Sequence, residues 1–202
     1  MQFVGDLAPI VLCFMPTRLR QSHLRPVYTI DSRDRLIEVN AAFVASVPYV
    51  GGVDALLGKS IWSFISGDLP RRLWGVMYER VRLLRAPLFV PLRADTATER
   101  RVIDLELHPG LDRTVRHVRE CLWIEPRPAI ELLNPAYPRD SRVLMRCAWC
   151  ARVQVSLGVW QEIEDAQLSL GIEACATLPA VHDTACSPCQ QSVLKALPSR
   201  VA

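Results

Sequence analysis

The chain has 202 residues, 50% of them apolar and 22% charged, a balance that excludes a disordered or low-complexity protein. A formal net charge of +3 is too small, and the basic residues too scattered, to argue for a nucleic-acid or anionic-membrane partner on charge alone. The longest apolar stretch near the start, Leu7 to Met15, is about half of the roughly 20 residues a membrane helix needs, so neither a span nor an export signal is expected.

Residues 1–23 are open between an amphipathic helix and a disordered lead-in. Val27-Tyr28-Thr29-Ile30 and Leu36-Ile37-Glu38-Val39 are short β-prone runs around the polar cluster Asp31-Ser32-Arg33-Asp34, which predicts a hairpin. Residues 41–66 read as short helices broken by Pro48 and the Gly51-Gly52 pair. From Leu69 to Arg85 the period is helical: Leu73, Trp74, Met77, Val81 and Leu84 share a face, and Arg71, Arg72, Arg80 and Arg82 fall mostly elsewhere, as a solvated face would. Asp68 suits the N-cap and Pro70 the first turn. Three strand-like segments follow, Leu88–Arg93, Arg101–Leu107 and Val118–Glu125; the middle one alternates apolar Ile103, Leu105 and Leu107 with Asp104 and Glu106. His108 and His117 lie near strand ends and read as turn or surface histidines. Four prolines between Pro126 and Pro138 mark 126–140 as a linker, so the expected organisation is an N-terminal segment 1–23, a domain 24–125, the linker, and a small module 141–202.

All four cysteines of two CxxC pairs lie behind that linker: Cys147-Ala148-Trp149-Cys150, then Cys186-Ser187-Pro188-Cys189. Zinc takes four thiolates in a tetrahedron at about 2.3 Å, and each CxxC turn offers two on one side of the ion. A segment of about 60 residues buries too little core to stand alone, so a structural zinc is the expected stabiliser. Ser187 and Pro188 open a helix whose N-terminus favours the negative sulfurs. His182, with three residues between it and Cys186, is an alternative ligand, a hydrogen-bond donor to a thiolate, or a surface residue. Unmetallated thiols and a redox-active CxxC are the competing readings of the cluster. Cys13, Cys121 and Cys175 have no partner at ligand spacing and read as core. Seven cysteines without an export signal point to a reducing, cytoplasmic compartment.

The order of two strands, several helices, one long helix and three strands, with Asn40 closing the second strand in IEVNAAF and GKSIWSFI before the long helix, resembles the PAS sensory fold over residues 24–125. The run FVPLRADTATERRVIDLEL is similar to a bacterial PAS subgroup with Arg-Cys-Asp-Ser followed by Arg-Arg. Arg93, Asp95, Arg100 and Arg101 match, while Ala94 stands in place of the cysteine and removes any role of that thiol. The segment 145–196, with CAWCARVQV, Trp160, Gln161-Glu162-Ile163-Glu164 and HDTACSPC, resembles a small cysteine module attached to PAS domains and other bacterial two-component signalling proteins. His182 stands one residue further from its cysteine than in that module.

These resemblances imply an α+β protein: a PAS-like five-stranded antiparallel sheet with flanking helices, plus a small zinc-stabilised α+β module. They imply a bacterial signalling protein that works by binding a ligand or a protein partner, with homodimers common in such families and residues 1–23 a candidate pairing helix. Trp62, Trp74 and Met77 are candidates to line a PAS pocket. Haem is not expected, because the long helix has no histidine, nor flavin, because no Asn-Cys-Arg-Phe run occurs. No kinase phosphate loop, GxSxG, HExxH or receiver aspartate cluster is present, so catalysis is not expected. Two other functions stay open: a zinc-dependent nucleic-acid-binding regulator using Arg146, Arg152 and Lys195, and a redox switch through the CxxC pairs.

Overall fold

The computed structural model describes residues 25–47, 52–173 and 175–197. The N-terminal segment, Cys13, Pro48 and Gly51 lie outside the described residues.

Strands β1 (Val27–Ile30) and β2 (Leu36–Val39) form the expected hairpin. Its turn is held by Asp31, whose Oδ1 accepts the N–H groups of Arg33 and Arg35 at 2.8 Å each. Asn40 then does three things at once. Its Oδ1 caps helix α1 (Ala41–Ser46) by accepting the Phe43 N–H at 2.8 Å and also accepts the Val27 N–H at 3.0 Å, while its Nδ2 donates to the Arg25 carbonyl at 2.7 Å. A short 3₁₀ turn at Ile61–Phe64 leads to the long helix α2 (Asp68–Leu84).

Helix α2 departs from the sequence reading in two ways. Its N-cap is Gly67, at φ 80°, and Asp68 is the first helical residue without a capping bond. Arg82 is buried with Leu73, Met77, Tyr78 and Val81 instead of joining a solvated arginine face. Its guanidinium reaches Asp34 Oδ1 at 2.7 Å and the carbonyls of Asp31 and Arg113 at 2.8 and 2.9 Å, tying the helix to the hairpin turn and to the turn before the last strand of this sheet. Burial is tolerated because all three guanidinium nitrogens donate, Nη1 to Glu79 at 3.1 Å.

Strands β3 (Leu88–Arg93), β4 (Glu99–Pro109) and β5 (Val115–Pro126) complete an antiparallel five-stranded sheet in the order β2-β1-β5-β4-β3. With α1 and α2 between β2 and β3, this is the PAS-like α+β fold. Strand β5 begins three residues earlier than its apolar pattern predicts, which places His117 inside the sheet's inner face. His117 is fully buried and stacked on Tyr28 with ring centroids 4.1 Å apart, so the surface reading of this histidine is corrected. His108 stays half-exposed beside Glu106. Cys121 is exposed, against its reading as core.

The proline-rich stretch after β5 packs as well as connects: Ile130 and Leu132 are buried in a second apolar cluster with Val153, Ile163 and Leu178. There follow β6 (Arg139–Cys147), β7 (Val153–Ser156), β8 (Val159–Gln161), α3 (Ile163–Ser169), β9 (Leu178–Thr184) and α4 (Ser187–Ala196). The second sheet runs β8-β7-β6-β9, with β6 and β9 parallel. Among the described residues, no helix is long and apolar enough to cross a membrane.

Candidate metal centre

The parallel pairing of β6 with β9 builds the site. Cys147, the last residue of β6, lies opposite Thr184, the last of β9, so both strands deliver their following residues to the same end of the sheet. After β6 the chain turns back at once: the Ala151 N–H bonds the Cys147 carbonyl at 2.9 Å and the Cys147 N–H bonds the Arg152 carbonyl at 2.8 Å, with Ala151 at φ 61° closing the turn. After β9, Cys186 takes the N-cap position of α4, Ser187 is the first helical residue, and Cys189 falls in the first turn. The Cys186 N–H points at Cys147 Sγ at 3.4 Å.

The four sulfurs of Cys147, Cys150, Cys186 and Cys189 lie within 4.8 Å of one another, and Cys150 and Cys186 are 3.8 Å apart. Two ligands at about 2.3 Å from one ion, at a tetrahedral angle, stand about 3.8 Å apart, so the donor set fits a four-thiolate metal ion. The protonic state argues the same way. Hydrogen bonds from Cys150 and Cys189 push the Cys147 thiol well below its usual value, while Cys150 is pushed up to about 12 and Cys189 upward, chiefly by their bonds to Cys147. Sulfurs packed this closely cannot all ionise beside one another without a shared cation. His182 is exposed on β9 and stands outside the four-sulfur group.

The first CxxC turn is also part of the five-stranded domain. Cys147, Trp149, Cys186 and Val193 belong to the same apolar cluster as Tyr28, Leu73, Met77 and Leu105. The Trp149 carbonyl accepts the Arg93 N–H at 2.7 Å, extending the end of β3 onto the cysteine turn. Around it runs an ion network. Arg93 pairs with Asp95 and Glu162; Arg127 pairs with Asp95 and, at 2.8 Å, with Glu164; Arg100 meets Glu164 at 2.9 Å and Arg152 meets Glu162 at 3.0 Å. Asp95 is 1% and Arg127 5% exposed at the side chain, so this pair is withdrawn from water, while the outer members of the network stay partly exposed. The Arg93, Asp95 and Arg100 motif noted in the sequence is therefore the surface on which Glu162 and Glu164 at the start of α3 dock. On the other side Asp183 accepts from Ser66 Oγ at 2.7 Å and Arg146 Nε at 2.9 Å.

Of the expected PAS-pocket residues, Met77 is fully buried core, and Trp62 is half-buried with its Nε1 donating to Asp34 at 3.1 Å. Trp74 lines a cavity of about 270 Å³ between the two sheets. Sequence reasoning missed Arg119 and His117 on the inner face of β5; the alternation Val115, His117, Arg119 was the available signal.

No family model and no curated protein matches the chain. Among solved structures, it is similar to the PAS domain of BvgS from Bordetella pertussis, with 22% identity over 48% of this chain and 72% of that one, at a TM-score of 0.35. It is also similar to a sensory box sensor histidine kinase from Vibrio cholerae, with 13% identity over 55% of this chain and 88% of that one, at a TM-score of 0.35.

Proposed function

We propose that this chain is a sensory or regulatory signalling protein in which a PAS-like domain is coupled to a structural zinc site, and that it acts by binding rather than by catalysis. The observation that carries the reading is the shared core: the cysteine turn holding Trp149 is bonded to the end of β3 and packed against α2. A change in the strand or helix on binding would therefore be felt at the metal, and loss of the metal would loosen the strand. Zinc is favoured because a closed four-cysteine shell leaves no open position for substrate, as in structural sites.

The nucleic-acid reading finds less support. Arg146 is paired with Asp183 and Arg152 with Glu162, which leaves Lys195, of the three residues that reading used, without an ion pair among the described residues. A cytoplasmic setting and a protein partner, including a second copy, belong to the same proposal. The test is hydrogen exchange on the full chain before and after zinc is withdrawn with a chelator. Under the proposal, amides of β3 and α2 lose protection together with those of β6 and α4. Loss confined to β6 through α4 would refute coupling.

A further inference from the structure

Among the described residues, the inner face of the five-stranded sheet carries a charge without a counter-ion. Arg119 stands on β5 opposite the fully buried Leu105, half-buried, with its guanidinium over the Tyr28 ring at 5.7 Å. Among the described residues it forms no ion pair. It lines the cavity of about 270 Å³ closed on one side by Trp74 of α2 and on the other by the cysteine turn at Cys147 and Ala148. The other charges on that wall are matched: Arg93 by Asp95, and Arg146 by Asp183. Ser66 is hydrogen-bonded to Asp183, and the remaining lining residues, Phe64, Leu92 and Ile103 among them, are apolar.

A half-buried guanidinium beside apolar walls is stabilised by an anion that pairs with it and displaces water from those walls. Among the described residues, Arg119 has the Tyr28 side chain beside it and no carboxylate paired with it. The remaining walls suit a small apolar body and supply no second unmatched charge.

We propose that the cavity between the two sheets is a binding site for a small organic monoanion, of the size and flatness of an aromatic carboxylate, whose charged group pairs with Arg119 and whose ring lies against Trp74. The carboxylate takes two of the guanidinium's N–H groups, and the ring replaces water on Ile103 and Leu92. Because Cys147 and Ala148 form part of the wall, the occupant touches both the sensory sheet and the metal-bearing turn. This deepens the sensory reading by naming the class of signal, and it rests on that reading for its biological meaning.

The experiment is calorimetric titration of the zinc-loaded full chain with benzoate, with benzyl alcohol as the neutral analogue and benzylamine as the cationic one, alongside Arg119→Gln and Ile103→Trp. We expect benzoate to bind, the other two to bind at least about tenfold more weakly, and both variants to lose benzoate by a similar factor. Equal binding of benzoate and benzyl alcohol to the unmodified chain overturns the charge assignment without need of a variant. Undiminished binding to a folded Ile103→Trp, or to a folded Arg119→Gln, overturns the location. Any of these results leaves the zinc coupling untouched, since that reading is judged by hydrogen exchange on metal removal.

Discussion

Gly67 and Asp183 meet at the junction of the two sheets so closely that a Cβ on Gly67 would stand 2.0 Å from the Asp183 carbonyl oxygen. Gly67 also holds φ at 80°, a conformation that other residues adopt only under strain. Gly67→Ala should therefore destabilise the chain by about 2 kcal/mol or more, the strain alone accounting for about 1–2. Gly75, inside α2, has its nearest added-atom neighbour at 3.8 Å, an ordinary contact. Gly75→Ala should stabilise by about 0.5–1 kcal/mol through helix propensity. Urea midpoints of the two variants moving in opposite directions would verify both.

The ion network at the junction should be far more valuable than its surface counterparts. Asp95 accepts from Arg93, Arg127 and the Arg101 N–H, and its side chain is 1% exposed. Asp95→Ala removes a buried carboxylate from Arg93, Arg127 and the Arg101 N–H while Arg127 keeps Glu164 and the Thr96 carbonyl, and should cost about 1.5–3 kcal/mol. Glu99→Ala removes an ion pair to Arg101 in which both side chains are partly exposed, and should cost less than about 1 kcal/mol. Denaturant titration at low and moderate salt separates the two, since only the Glu99 effect should shrink with salt.

His117 is buried with neither ring nitrogen hydrogen-bonded among the described residues. Burial first, and the charge of Arg119 second, hold its pKa well below 6.5. The unfolded chain therefore takes up a proton that the folded one refuses. Stability from this site is complete above pH 6.5 and is lost as the pH falls below it toward the depressed folded value, by at most about 1.4 kcal/mol per pH unit. His117→Phe keeps the stack on Tyr28 and removes two unpaired polar atoms. It should be about 1–2 kcal/mol more stable at neutral pH and should lose less stability between neutrality and mild acid. Equal pH slopes for the two proteins would contradict this account.

How far the sequence could be read follows from the range of the interactions concerned. Alternation along Ile103, Leu105 and Leu107, the helical spacing from Leu73 to Val81 and the polar cluster at Asp31 are local patterns, and they located the first sheet and its long helix. The cysteine spacing likewise marked the four sulfurs. The junction was illegible because its pairs are distant: Arg93 and Glu162 are separated by 69 positions, and each alone reads as a solvated surface charge. Arg82 was misread for the same reason, since its acceptors at Asp31 and Asp34 belong to a turn far back in the chain. Gly67 at the helix start is a demand of Asp183, a residue of the other sheet, and no local rule for helix caps foresees it.

The claim on which the rest depends is that one ion holds the four sulfurs together at the junction. Native mass spectrometry of the full chain, read with elemental analysis, measures this directly. One zinc per chain, retained by the folded protein and lost together with its compact charge-state distribution when Cys150 and Cys189 are both replaced by serine, is the expected result. A compact, metal-free chain that is indifferent to those replacements would contradict the account.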